Sequence, residues 1–274
     1  MSKRSQAAEK IRAQRAAQAR RKRRRNWLTG LGAAAVAAAV AVTITATAGG
    51  GTASGHSATS GSATSGSATS GSGATGGGTA ALNLAPLSTL GALQPAPVAG
   101  AAGAEGVPAP NADPLASPAA STAGQAIDGI GCQSSEQTLF HIHAHLTIFV
   151  NGQPRQVPAG IGIPGAHAAS TPNGPFVDTG TCFYWLHTHA ADGIIHIESP
   201  VQRTYTLGDF FDEWGQPLGA SQAGTARGHV PAIYNGKAYR GDPRDIPLTA
   251  HAQIQLEVGT PLVAPVSITF PNGL

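Results

Sequence analysis

The chain has 274 residues, of which 41% are hydrophobic and only 11% charged, and its formal net charge of +3 is confined to one end. Eleven of the 17 Lys and Arg fall in residues 1–26 against a single acid, Glu9, which leaves six basic and thirteen acidic residues for everything that follows. The remainder is thus acidic and the basic balance belongs to the tail alone, which speaks against a nucleic-acid partner, and the mean composition describes none of the parts.

The basic segment 1–26 ends in RRKRRR at Arg20–Arg25 and reads as a cytoplasmic tail. Residues 27–48, WLTGLGAAAVAAAVAVTITATA, then run uncharged for about the length needed to cross a hydrocarbon core. Positive charge on the N-terminal flank places that flank inside and the remainder outside, as a single-pass signal-anchor. Two processing alternatives stay open. Ala46-Thr47-Ala48 has the form of a signal-peptidase site, which would release the protein by cleavage near Ala48, and Arg24-Arg25-Asn26-Trp27-Leu28 loosely resembles a twin-arginine export signal.

Residues 49–127 consist almost wholly of Gly, Ser, Ala, Thr and Pro, with an SGSAT-type repeat from Ser57 to Ser70 and a Pro/Ala-rich part after Thr79. Such a composition offers too little apolar surface to offset the entropy of ordering, so a disordered linker is expected. Residues 128–274 remain as the extracytoplasmic domain, and they hold both cysteines. In an exported domain an isolated pair points to a Cys132–Cys182 disulfide.

Within this domain the first element is FHIHAHLTIFV, whose alternate positions read His141, His143, His145, Thr147, Phe149 on one side and Ile142, Ala144, Leu146, Ile148, Val150 on the other. Period two with one apolar side predicts a strand, and Asn151-Gly152 predicts a tight hairpin into a return strand over Gln153–Pro158. Residues 164–181, rich in Gly and Pro, read as a long loop. TCFYWLHTH and GIIHIES follow, joined by a hairpin through Ala190-Ala191-Asp192-Gly193. A helix is predicted after Thr206, which can cap it with Asp209; Leu207, Phe210, Phe211 and Trp214 share its core face, and Gly215 and Pro217 end it. Further strands are predicted at 230–234, 237–240, 250–258 and 262–270. Many strands and one short helix predict an all-β domain, a single β-sandwich or barrel-like structure.

Nine of the ten histidines lie in this domain, and six of them sit in three strand-like segments. His187 and His189 share a face, and His196 and Glu198 share the matching face of the next strand. A four-residue loop would set His187 opposite His196; closure on Asp192-Gly193 alone would set His189 there. Either register gathers the same polar groups on one side.

Two histidines at i and i+2 plus a third from a neighbouring strand can converge on one metal ion and leave a fourth position open. His141 and His145 stand about 13 Å apart along an extended strand, so the three histidines 141–145 cannot all serve one ion. The candidate ligands are therefore His141, His143, His145, His187, His189 and His196, arranged in one or two sites. With Met1 as the only methionine and both cysteines assigned to a disulfide, a thioether- or thiolate-rich copper site is excluded; Zn and Cu lead as the metal, with Fe and Ni as alternatives.

Gly180-Thr181-Cys182-Phe183-Tyr184-Trp185-Leu186-His187-Thr188-His189 resembles the segment of multicopper oxidases in which a Gly-Thr-aromatic strand ends in His-x-His, and His141-Ile142-His143 is similar to their other short His pairs. The resemblance covers about ten residues and implies cupredoxin-like geometry; the chain end, PVSITFPNGL, lacks the Cys-containing ligand run of those oxidases. The pairing HIHAHL, LHTH and GIIHIES also resembles a family of exported prokaryotic His-rich β-domains from which no function transfers. The topology is similar to carbonic anhydrase, whose surrounding residues do not match. Three functions compete: metal capture or sensing by a membrane-tethered domain; a metal-dependent enzyme with Glu198 or Asp192 as acid/base candidates; and a structural or adhesive module whose histidines bond one another.

Overall fold

The computed structural model describes residues 82–118 and 124–274. The basic tail, the candidate membrane span 27–48 and the first part of the expected linker lie outside the described residues. Among the described residues no helix is long and apolar enough to cross a membrane.

The alternating segment forms the long strand Phe140–Val150, and the pleat sends its two residue sets to opposite faces. The principal sheet among the described residues has eight strands: β1 (Leu84–Ala85), β2 (Phe140–Val150), β3 (Gln153–Arg155), β4 (Leu186–His187), β5 (Ile194–Ser199), β6 (Ala232–Tyr234), β7 (Lys237–Tyr239) and β8 (Gln253–Val258). Their order is β1-β7-β6-β8-β2-β5-β4, with β3 also paired to β2. The strand β2 is central. It runs parallel to β8 over His145–Val150, while β5 and β3 pair antiparallel to successive stretches of it. Among the described residues strands dominate and one α-helix accompanies them, which matches an all-β domain.

One face of the sheet is apolar. Ala144, Leu146, Ile148, Ile195, Ile197 and Leu256 form a buried core with Leu207, Phe210, Phe211 and Trp214 of α1 (Leu207–Trp214). The helix starts and stops where its sequence says it should. Thr206 accepts the Asp209 N–H at 3.2 Å, the Asp209 carboxylate accepts the Thr206 N–H at 2.8 Å, and Gly215 takes the left-handed conformation that ends the helix.

The other face is polar yet buried, because extended segments from both ends of the domain lie across it. Leu93–Gln94 pairs in parallel with Leu262–Val263. The β8 side chains hold the C-terminal segment: Gln255 Oε1 accepts the Val266 N–H and Gln253 Oε1 accepts the Ile268 N–H, both at 2.8 Å. An N-terminal arm closes a loop in which Ala109 N–H donates to Ala101 O at 3.0 Å and Gly103 N–H to Val107 O at 2.7 Å.

Three expectations change here. The ordered unit begins before the expected boundary at Asp128: β1 at Leu84–Ala85 pairs with β7, so part of the segment read as disordered linker is built into the sheet. Composition misleads in that stretch because the arm gains its order from the sheet it covers and not from a core of its own. The loop predicted at 164–181 contains a hairpin, His167–Thr171 with Gly174–Thr179. The strand predicted at 262–270 stops at Val263, and the residues after it are held by glutamine side chains in place of a backbone ladder. The Cys132–Cys182 disulfide is present and links the two-residue ribbon Cys132–Gln133 to the segment before β4.

Candidate metal centre

The buried polar face carries the histidines. In the register of β2 with β5 and of β5 with β4, His143, His196 and His187 stand opposite one another in one row, and His141 faces Glu198 in the next. Of the two hairpin closures open to the sequence, the structure takes the one that pairs His187 with His196. The turn reaches close to β2 because Gly193 has φ 88°, and a Cβ there would sit 2.4 Å from Leu146 O. His189 lies just past β4, with its ring stacked on Phe176 of the 174–179 strand.

Two overlapping groups result, each able to hold a metal ion: His141, His143, His196 and Glu198, and His187, His189, His196 and Glu198. In the first, His141 Nε2 is 3.1 Å from His143 Nε2, which is 3.1 Å from His196 Nδ1. Glu198 Oε1 closes the ring at 3.5 Å from His196 Nδ1 and 3.1 Å from His141 Nε2. Donors bound tetrahedrally at zinc-like bond lengths of 2.0–2.1 Å would stand about 3.3 Å apart, so these separations already match the edges of a coordination tetrahedron.

The tautomers decide what the second group can do. His187 Nδ1 donates to Tyr184 O at 2.8 Å and His189 Nδ1 donates to Val177 O. A carbonyl oxygen only accepts, so both protons of the neutral rings sit on Nδ1, and both Nε2 atoms carry lone pairs. Those two lone-pair nitrogens lie 3.2 Å apart, and Glu136 Oε1 approaches His189 Nε2 to 3.5 Å. Two acceptor nitrogens facing one another cannot hydrogen-bond each other. A cation placed between them would satisfy both, and backbone carbonyls that orient imidazoles in this way are a common support of metal ligands.

Protonating a ring would supply that cation, but the surroundings oppose it. Burial, reinforced by the charges of neighbouring histidines, pushes His187 well below the usual imidazole value, His189 to about 4 and His143 to about 3. His196 behaves in the opposite way. Burial works against its charged form, yet its hydrogen bonds to Glu105 and Glu198 lift it to about 9. Burial would raise Glu198 too; the bonds from His141 and His196 outweigh it and hold this carboxyl well below the carboxylate range. Glu198 Oε2 is buried without a hydrogen-bond partner among the described residues.

Glu105 is the residue that sequence reasoning missed. Its Oε1 accepts from His196 Nε2 at 2.7 Å, which fixes His196 with Nδ1 turned toward His143 and Glu198. It arrives from the arm, 91 residues away in sequence. One signal pointed to it: Glu105 is the only charged residue between Arg25 and Asp113. Glu136 was missed as well, and nothing local distinguishes it.

His145 does not join either group. It stands opposite Ile194 and donates from Nε2 to Asp192 O at 2.9 Å, so it braces the turn. Its expected ligand role is corrected accordingly. Asp192 is buried away from the donors against Gly103 of the arm, and burial together with the neighbouring Glu105 carboxylate raises it to about 7. The His187 and Glu198 side chains are enclosed, whereas His141 is 38% and Glu136 33% exposed, which leaves the cluster reachable from solvent on that side.

Comparison with known protein families, with curated proteins and with solved structures finds no match. The site is therefore argued from its own geometry.

Proposed function

We propose that the protein is a membrane-tethered extracytoplasmic domain that binds a divalent transition metal, Zn or Cu first and Fe or Ni next, for metal capture or sensing. The observation that carries this reading is the pair of lone-pair nitrogens, His187 Nε2 and His189 Nε2, held 3.2 Å apart by carbonyl-bound Nδ1 protons. The imidazole-rich, sulfur-free donor set suits borderline metals. The disulfide suits an oxidising compartment, and the basic tail followed by an uncharged stretch is the support for the membrane tether. The matching fold reading is a sandwich whose second layer is reduced to the ribbon Leu93–Gln94 with Leu262–Val263 and the segments beside it.

Elemental analysis of the purified full-length protein after incubation with Zn, Cu, Fe and Ni salts and removal of excess tests the reading. Stoichiometric metal is expected, reduced in His187→Ala/His189→Ala. A wild-type protein that emerges metal-free from all four would overturn it and leave a structural or adhesive module.

The enzyme reading has one observation of its own. A cavity of about 350 Å³, lined mainly by apolar residues such as Val98, Phe149 and Ile268, is bordered by His145 and Asp192. That volume suits a small organic molecule. Spectral changes of the Cu(II)-loaded protein on adding azide would favour an open, reactive coordination position; an unchanged spectrum would favour capture.

A further inference from the structure

The donors around Glu198 outnumber what one tetrahedral ion takes. His141 Nε2, His143 Nε2, His196 Nδ1 and Glu198 Oε1 form a closed ring of four with successive separations of 3.1, 3.1, 3.5 and 3.1 Å. That set fills a four-coordinate ion by itself. His187 Nε2 and His189 Nε2 remain outside it, with their lone pairs facing and no protein hydrogen available to lie between them.

His196 cannot serve both ions. Its Nε2 is engaged by Glu105 at 2.7 Å, so only Nδ1 is free to ligate. Glu198 can, because it belongs to both groups, its Oε1 completes the first ring, and its Oε2 is buried without a hydrogen-bond partner among the described residues. A carboxylate that gives one oxygen to each ion is the usual way two ions a few ångströms apart are held together.

We propose that this face of the sheet binds two divalent transition-metal ions bridged by the Glu198 carboxylate. The first is held by His141, His143 and His196, and the second by His187 and His189 with its remaining positions toward Glu136 and solvent. The inference rests on the metal-binding reading above and goes beyond it in number and arrangement. The two halves differ in chemistry: the first ion has a closed donor set and is the structural one, while the second keeps room for an external ligand.

Titrating the metal-free full-length protein with CuCl2, followed by elemental analysis and electron paramagnetic resonance, tests the inference without any variant. Two Cu(II) per chain are expected, with spin–spin coupling that removes most of the isolated Cu(II) signal. His141→Ala/His143→Ala and His187→Ala/His189→Ala should each retain one ion and show the full uncoupled signal. Glu198→Gln, close in shape, should lose the coupling. One ion per chain in the wild type would overturn the dinuclear centre and leave metal binding standing. Two ions with no coupling, unaffected by Glu198→Gln, would overturn the bridge. No bound Cu at all would overturn the dinuclear centre, and the incubation with all four metals described above would then decide the metal reading itself.

Discussion

Glu105 is expected to act on the metal only through His196. Its carboxylate accepts the hydrogen bond of the Nε2–H and so presents Nδ1 to the donor ring, the arrangement by which supporting carboxylates raise imidazole basicity. Glu105→Ala should weaken metal binding by about 10–100-fold, the usual cost of removing such a partner, with little change in stoichiometry. Competition against a chelator of known affinity would measure it, and an unchanged affinity would show that His196 needs no such support. The histidines themselves are legible in the sequence because strand pleating has a fixed period: alternation puts His141, His143 and His145 on one side of their strand, and His187, His189 and His196 on one side of the hairpin whichever register forms. What alternation could not separate was ligand from brace. His145 has the same spacing as its neighbours and differs only in facing Ile194 and a backbone carbonyl, a distinction that exists across strands and not along one. Glu105 was hidden for a different reason: pairing between residues so far apart in sequence leaves no periodic trace.

Helix α1 was readable from both ends, since capping is local chemistry. Replacing Thr206 by Ala removes the acceptor for the Asp209 N–H and should cost about 1 kcal/mol, seen as a lower midpoint in urea unfolding. The buried strand β8 makes a second prediction. Burial raises Glu257 from 4.5 to about 7, although its carboxylate accepts from Gln255 Nε2 at 2.6 Å. Because the folded state holds this proton more tightly, the stability it contributes is complete below about pH 4.5 and is lost as pH rises through about 7. Glu257→Gln keeps an acceptor for Gln255 and removes the titration. Its melting temperature relative to wild type should therefore rise between pH 5 and pH 8, and a constant difference would refute the assignment. The parallel pairing of β2 with β8 was not legible, because a continuous strand pattern is silent about the direction of its neighbours.

At the scale of the molecule, the disulfide spans 50 residues and ties the region before β2 to the region before β4. On the loop-entropy estimate its reduction should lower stability by about 4 kcal/mol, measured as the shift in urea midpoint with and without reductant. The apolar half of the fold was foreseeable, since a core announces itself through hydrophobic periodicity. The polar half was not. Its cover is a Pro-, Ala- and Gly-rich arm and a C-terminal segment with almost no repeat of its own, ordered by Gln253, Gln255 and His196 side chains reaching out from the sheet.

The strand β2 is a partition between two interiors of unlike character, an oily one against α1 and an ionic one beneath the arm. Its residues cannot shift toward one without being dragged out of the other. A chelator and a methyl-deleting substitution at Ile197, which the paired strand β5 carries between His196 and Glu198 but turns to the oily side, should therefore fail to act independently: with the proposed metal removed, the same core vacancy should cost a different amount than in the loaded protein. Metal content would then be a setting of the whole sheet's mechanics.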